Sequence, residues 1–176
     1  MFVKAKKALD KTLELLVTVS MGVLVVDVVW QVLTRYLLKN PSSWTEELAT
    51  FLMVWVGLLG ASVALNRGAH LGIDYLVVKL SPKYALCASL FVFAIIAVFS
   101  LLVMVIGGAQ LVHRTLATNQ VSPALGLKMG YVYLAIPISG FFLVIYSLEL
   151  FINTLVALIK HRPAEGPHIF KSGTLD

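Results

Sequence analysis

The chain has 176 residues, of which 59% are hydrophobic and 13% charged, and a formal net charge of +5. Soluble domains carry about a quarter charged residues, and a mean hydropathy of +0.91 means more apolar surface than a water-soluble globule of this size can hide. This composition excludes a soluble enzyme. The basic residues lie in short stretches between apolar runs, so the charge reads as membrane topology and no nucleic-acid partner is expected.

A spanning helix needs about 20 mostly apolar residues, and four segments meet that length. The first follows Lys4, Lys6 and Lys7 and runs over 13–34, interrupted by Glu14 and Asp27. It is too long for a signal-peptide core and no small-x-small site follows it, so it is expected to be retained. Asn40-Pro41-Ser42-Ser43 closes the first hairpin. Ser42 or Ser43 is the expected N-cap of the second helix, and Ser43 with Glu46 has the capping-box spacing.

The second span covers 44–65, with Glu46 and Glu47 in its first turn. Asn66 to Lys83 differs from the other connections. Leu71, Tyr75 and Val78 share one helical face opposite Asp74, which predicts a short amphipathic helix lying in the membrane interface, against the alternative of frayed helix ends. The third span, 84–112, carries no charge and is long enough to tilt or to project beyond the bilayer. It contains the chain's one cysteine, Cys87, which reads as a small apolar residue. Ser122-Pro123 leads to the fourth span, 129–151, which Pro137 interrupts.

The fold class is therefore all-α integral membrane, with residues 1–162 as one four-helix domain and 163–176 as a polar tail. Ten lysines and arginines fall in the N-terminal arm, the middle connection and the tail, against four in the other two loops. The positive-inside rule then puts both termini in the cytoplasm.

No phosphate loop, zincin motif, Cys/His cluster or nucleophile elbow is present. No catalytic residue, cofactor or metal is expected. The histidines, His70, His113, His161 and His168, lie outside the spans' deep parts, so no pair is placed to ligate a haem in the bundle. Asp27 is an intramembrane acid, which is a functional candidate by default. It can bind a cation or a partner's arginine, but no second acid matches its depth, so bonding to a neighbouring helix is the preferred reading. Glu14 and Glu149 fall near the cytoplasmic helix ends, where a lysine or a headgroup is the expected partner.

The second helix and its exit carry the strongest local signal. Trp44 suits a membrane interface, Glu46 and Glu47 suit a helix N-terminus, and Arg35 is a natural partner for one of them. Gly57 and Gly60, with Ala61 and Ala64, form a small-residue face open to another helix, in this chain or a partner. Arg67 and His70 mark the inner interface, either as contact residues or as ordinary positive-inside anchors.

Trp44-Thr45-Glu46-Glu47-Leu48, Trp55-Val56-Gly57-Leu58-Leu59-Gly60-Ala61 and Arg67-Gly68-Ala69-His70-Leu71-Gly72-Ile73-Asp74 together resemble the small membrane subunit of tripartite ATP-independent periplasmic (TRAP) transporters, the DctQ-like family. Arg35-Tyr36 fits as well, as does Ser122-Pro123-Ala124-Leu125-Gly126-Leu127 with Tyr133 and Pro137. The resemblance covers roughly residues 10–160.

The resemblance implies a large multi-helix partner subunit in the bacterial inner membrane that moves the substrate by a sodium-driven elevator motion. It implies a periplasmic binding protein that delivers an organic acid such as a C4-dicarboxylate or a sialic acid. In that picture this chain is a non-catalytic brace. Trp44, Glu46, Glu47, Gly57, Gly60, Arg67, His70 and Asp74 are the candidate contacts to the partner, and lipids surround the whole. The rival reading is a self-sufficient, proton-coupled exporter acting as a homodimer, with Glu14 or Asp27 as its essential acid. A redox anchor is a third class.

Overall fold

The computed structural model describes residues 2–39, 42–67 and 82–159. Its elements are α1 (Phe2–Tyr36), α2 (Ser43–Asn66), α3 (Pro82–Phe99), a π-helical segment (Ser100–Gly107), α4 (Gly108–Ala117), α5 (Met129–Tyr133) and α6 (Ala135–Ile159). Four stretches, Ala8–Tyr36, Ser43–Asn66, Tyr84–Ala117 and Met129–Ile159, are long and apolar enough to cross a membrane. Helix is the natural answer for such runs, because it satisfies every backbone group within the segment where lipid offers no partner. The expected amphipathic helix after Asn66 and the tail 163–176 lie outside the described residues.

The helices pack as a row with one hub. α1 approaches α2, α2 approaches α6, and α6 takes α3 and the π segment on its far side. From Val17 to Thr34 the residues of α1 that escape full exposure are Val17, Ser20, Leu24, Asp27, Gln31 and Thr34. Their alternating steps of three and four, continued by buried Leu13, are the seam of a left-handed helix pair. The other residues of that stretch are exposed, Val19, Val26 and Trp30 among them. Leu13, Leu59, Leu65 and Tyr146 form the dry core where α1, α2 and α6 meet.

Between α2 and α6 the contact is close. Ser62 Oγ donates to the Ser139 carbonyl at 3.2 Å, and both serines are buried. On the other side of α6, a Cβ placed on Gly140 would stand 2.6 Å from Met104 Cβ, and one on Gly108 would stand 2.9 Å from Ile136 Cγ2. Glycine permits these approaches between α6 and the second half of the third span.

Several boundaries differ from expectation. The third span does not stop at Val112 but runs to Ala117, with the π segment inside it. The wider π turn puts Met104 against Gly140, and the Ser100 hydroxyl is buried there without a hydrogen bond among the described residues. The fourth span runs past residue 151 to Ile159, and it breaks at Leu134, not at Pro137. Proline in the first turn of α6 tolerates its missing donor there and disfavours helix just before itself. The Ser43–Glu46 capping box does not form. Ser42 is the N-cap, its hydroxyl lies 2.8 Å from Thr45 Oγ1, and Glu46 turns instead toward Arg35.

Candidate functional site

The first turn of α2 organises one end of the bundle. Thr45 is fully buried and its hydroxyl donates to the Ser42 carbonyl at 2.7 Å, fixing the entry of the helix. Trp44 points outward and is half-exposed. Glu46 pairs with Arg35 at the end of α1. Glu47 accepts the backbone N–H groups of Ala124 and Leu125, at 3.0 and 2.9 Å, from the loop before α5.

That loop is folded in its own right. Asn119 takes a left-handed conformation that ends α4, with the Asn119 and Gln120 N–H groups bonding back to Leu116 and Thr115. The Ser122 N–H donates to the Leu127 carbonyl, Gly126 takes φ +66°, and its N–H returns to the Ser122 carbonyl. Glu47 therefore clamps a formed turn and adds two bonds to an ionised acceptor, which are stronger than neutral ones.

Deeper in the membrane α2 shows two faces. Thr45, Leu59, Ser62 and Leu65 are buried. Glu46, Thr50, Met53, Gly57 and Ala61 are exposed and share the opposite face. A Cβ on Gly57 or Gly60 would meet nothing within 4 Å. Glycine inside a helix costs about 1 kcal/mol relative to alanine, and at Gly108, Gly130 and Gly140 close packing accounts for the choice. No packing among the described residues accounts for it at Gly57 and Gly60.

The opposite end is held by side chains from three helices. Glu14 pairs with Arg67 at 2.9 Å, joining α1 to the exit of α2. Lys6 pairs with Glu149, joining α1 to α6. The Tyr146 hydroxyl, 1% exposed as a residue, donates to Asp10 Oδ1 at 2.6 Å. Asp27 lies in the α1–α2 seam at 5% exposure, and its Oδ2 has no hydrogen-bond partner among the described residues.

The structure thus separates the eight sequence candidates. Trp44, Glu46 and Glu47 gather at one end, Gly57 and Gly60 on the outward face, and Arg67 at the other end; His70 and Asp74 lie outside the described residues. Arg35 meets Glu46, and Glu14 and Glu149 meet basic partners, as their positions suggested. Sequence reasoning missed the Glu47 clamp and the Tyr146–Asp10 bond. Both join residues more than 70 positions apart, and no local spacing announces them. His113 is exposed on α4, and among the described residues no group of three acids, histidines or cysteines is close enough to hold a metal.

An open cleft of about 480 Å³ lies between the first turn of α2 and the loop, with Ser43, Glu46, Phe51, Ser122 and Met129 among its walls.

Residues 13–157 match the family described as tripartite ATP-independent periplasmic transporters, DctQ component. The sialic acid TRAP transporter small permease protein SiaQ of Vibrio cholerae is 29% identical over 156 residues, 88% of this chain and 87% of that protein. The C4-dicarboxylate TRAP transporter small permease protein DctQ of Rhodobacter capsulatus is 33% identical over 71% of this chain and 52% of its own length. The sialic acid TRAP transporter permease protein SiaT of Haemophilus influenzae is 45% identical over 53 residues, which make up 30% of this chain and 8% of that permease.

Proposed function

The chain belongs to the DctQ component family of TRAP transporters, and from that premise we propose that it braces the scaffold of a large permease subunit during sodium-coupled uptake of an organic acid. It is a small, multi-pass permease subunit and not an enzyme. Its seat is the bacterial inner membrane, with residues 1–162 as one membrane domain and both termini cytoplasmic. The Glu47 clamp then faces the periplasm, where a binding protein delivers the acid, of the C4-dicarboxylate or sialic acid type named for the relatives.

The observation that carries the bracing role is where the acids go. Among the described residues, all four glutamates are engaged inside the chain: Glu14 by Arg67, Glu46 by Arg35, Glu47 by backbone N–H groups and Glu149 by Lys6. A transport pathway keeps polar groups available at the membrane midplane; here they fasten the ends of helices. The outward face of α2 at Gly57 and Gly60 is the proposed seat of a partner helix, since small residues let backbones approach, with Trp44 and Arg67 as flanking contacts. The rival exporter needs an acid that substrate can reach. Glu14 is paired at the bundle end and Asp27 faces the chain's own α2, which favours the brace.

Reconstitution separates the two readings. Liposomes with this chain, the large subunit and the binding protein are expected to take up the acid when a sodium gradient is imposed, and liposomes with the chain alone are expected to do nothing. Proton-coupled flux through the chain alone sinks the proposal.

A further inference from the structure

The third span buries a row of residues in steps of four. Ser100, Met104, Gly108 and Val112 are buried, and Ile96 continues the row into α3 half-buried. Met104 and Gly108 meet α6 directly. A Cβ on Gly140 would stand 2.6 Å from Met104 Cβ, and one on Gly108 would stand 3.1 Å from Pro137 Cδ. At the end of α4, a Cβ on Gly130 of α5 would stand 2.5 Å from Leu116 Cγ.

A plain α-helix cannot keep such a row on one side. It turns about 100° per residue, so each step of four overshoots a full turn by about 40°. The four steps from Ile96 to Val112 would swing the row by about 160°, to the far side of the helix. The segment Ser100–Gly107 is π-helical, and its i→i+5 bonds widen the turn to take in an extra residue. The Gly108 N–H marks the return to α pitch, reaching the carbonyls of Val103, Met104 and Val105 together. Leu101, Leu102 and Val103, the three residues between Ser100 and Met104, are all exposed. The extra residue therefore lies on the side away from the packed row.

We propose that the π segment is a one-residue insert that sets the rotation of α4, and through α4 the position of the loop that Glu47 holds. The α4 helix runs straight into that loop. The Asn119 and Gln120 N–H groups bond back to its last turn, and the Ala124 and Leu125 N–H groups donate to Glu47. An α-helix of the same length would turn Gly108 away from Ile136 and Pro137 and carry the loop round with it. Twelve steps lead from Ser100 to Val112, and over three turns they need about 4 residues per turn, against about 3.6 in an α-helix. With one residue fewer, eleven steps over three turns need about 3.67, which an α-helix supplies with slight supercoiling. The packed row then survives without the wide turn.

The inference depends on neither the large subunit nor the direction of the chain in the membrane. It is tested by amide exchange at Ala124 and Leu125, read by mass spectrometry on the full chain in nanodiscs. Deletion of Leu102 is expected to leave exchange within about twofold of the wild type, because α4 keeps its rotation. Deletion of Leu101 and Leu102 together turns α4 by about 100° and is expected to speed exchange about tenfold or more. Deletion of Met53, exposed like Leu102 but on the uninterrupted helix α2, is expected to do the same, since α2 has no spare residue to give up. Failure of either of these last two chains to fold counts as the same loss. Deletion of Val103 is the second single-residue variant and is expected to match deletion of Leu102. Loss of the clamp or of the fold in both single deletions, to the extent seen on deleting Met53, overturns the proposal. Unchanged exchange in the double deletion overturns it as well, because the rotation of α4 would then not set the loop.

Discussion

Glu47 and Leu125 are 78 positions apart in the chain, yet Glu47 Oε2 accepts the Leu125 N–H at 2.9 Å, beside the matching bond from the Ala124 N–H to Oε1. One side chain on α2 thereby fixes the loop that connects α4 to α5. The loop's own bonds shape it, and Glu47 sets where it sits.

Removing that carboxylate should loosen the loop without melting the bundle. Bonds to charged groups contribute about 1.5–3 kcal/mol each, so Glu47→Ala is expected to speed amide exchange at Ala124 and Leu125 by about tenfold or more. Glu47→Gln, which keeps one acceptor oxygen, should fall between. Hydrogen exchange read by mass spectrometry on the chain in nanodiscs measures this; unchanged exchange at both amides would mean the clamp does not hold in the membrane.

Two of the exposed ion pairs at the bundle ends should matter far less. The Arg35 and Glu46 side chains are 49% and 54% exposed, and those of Arg67 and Glu14 63% and 38%. Exposed pairs contribute about 0–1 kcal/mol. Arg35→Ala and Glu14→Ala are therefore expected to shift unfolding in mixed micelles by no more than that, and less at high salt.

Glycines on the two sides of the row should respond in opposite directions. Gly140→Ala drives a Cβ to 2.6 Å from Met104 Cβ and 3.2 Å from the Met104 backbone carbon. Overpacking of this kind costs about 1–3 kcal/mol. Gly57→Ala meets nothing within 4 Å and should stabilise the isolated chain by about 0.5–1 kcal/mol through the lost glycine entropy. Thermal melts of the two purified variants give the signs directly.

The Tyr146–Asp10 bond ties α6 to α1 at the end where the dry core lies. Tyr146→Phe keeps the ring in the core but leaves Asp10 Oδ1 without its donor, at a cost of about 1–3 kcal/mol. The same unfolding assay should show that loss. Asp10→Asn, which leaves an acceptor for the hydroxyl, should cost less.

Much of the fold was legible because the bilayer sets lengths. Apolar runs between polar connections located four helices, whereas the seam of Val17, Ser20, Leu24, Asp27, Gln31 and Thr34 is one face of a helix that is apolar nearly all round, and it stands out only once α2 lies against it. Arg35 with Glu46 could be anticipated because a short hairpin brings helix ends together. What stayed hidden depends on three-dimensional approach. Gly140 and Met104 touch only because α6 lies against the third span, and no residue in Ser100–Gly107 marks the π turn. Glu47 read only as a helix N-terminal acid and a candidate partner contact, because the groups it holds are backbone N–H groups, which carry no sequence signature. Gly57 and Gly60 read as a small-residue face, and the structure adds that a Cβ on either would meet nothing within 4 Å among the described residues.

The measurement that bears most directly on the bracing role is affinity purification of the full chain from its own membrane in mild detergent, with the wild type and Gly57→Leu side by side. The account predicts that a large multi-helix permease subunit comes with the wild-type chain in fixed proportion, and that Gly57→Leu comes without it although the bundle remains folded. Wild-type chain recovered alone or as a homodimer would contradict the account.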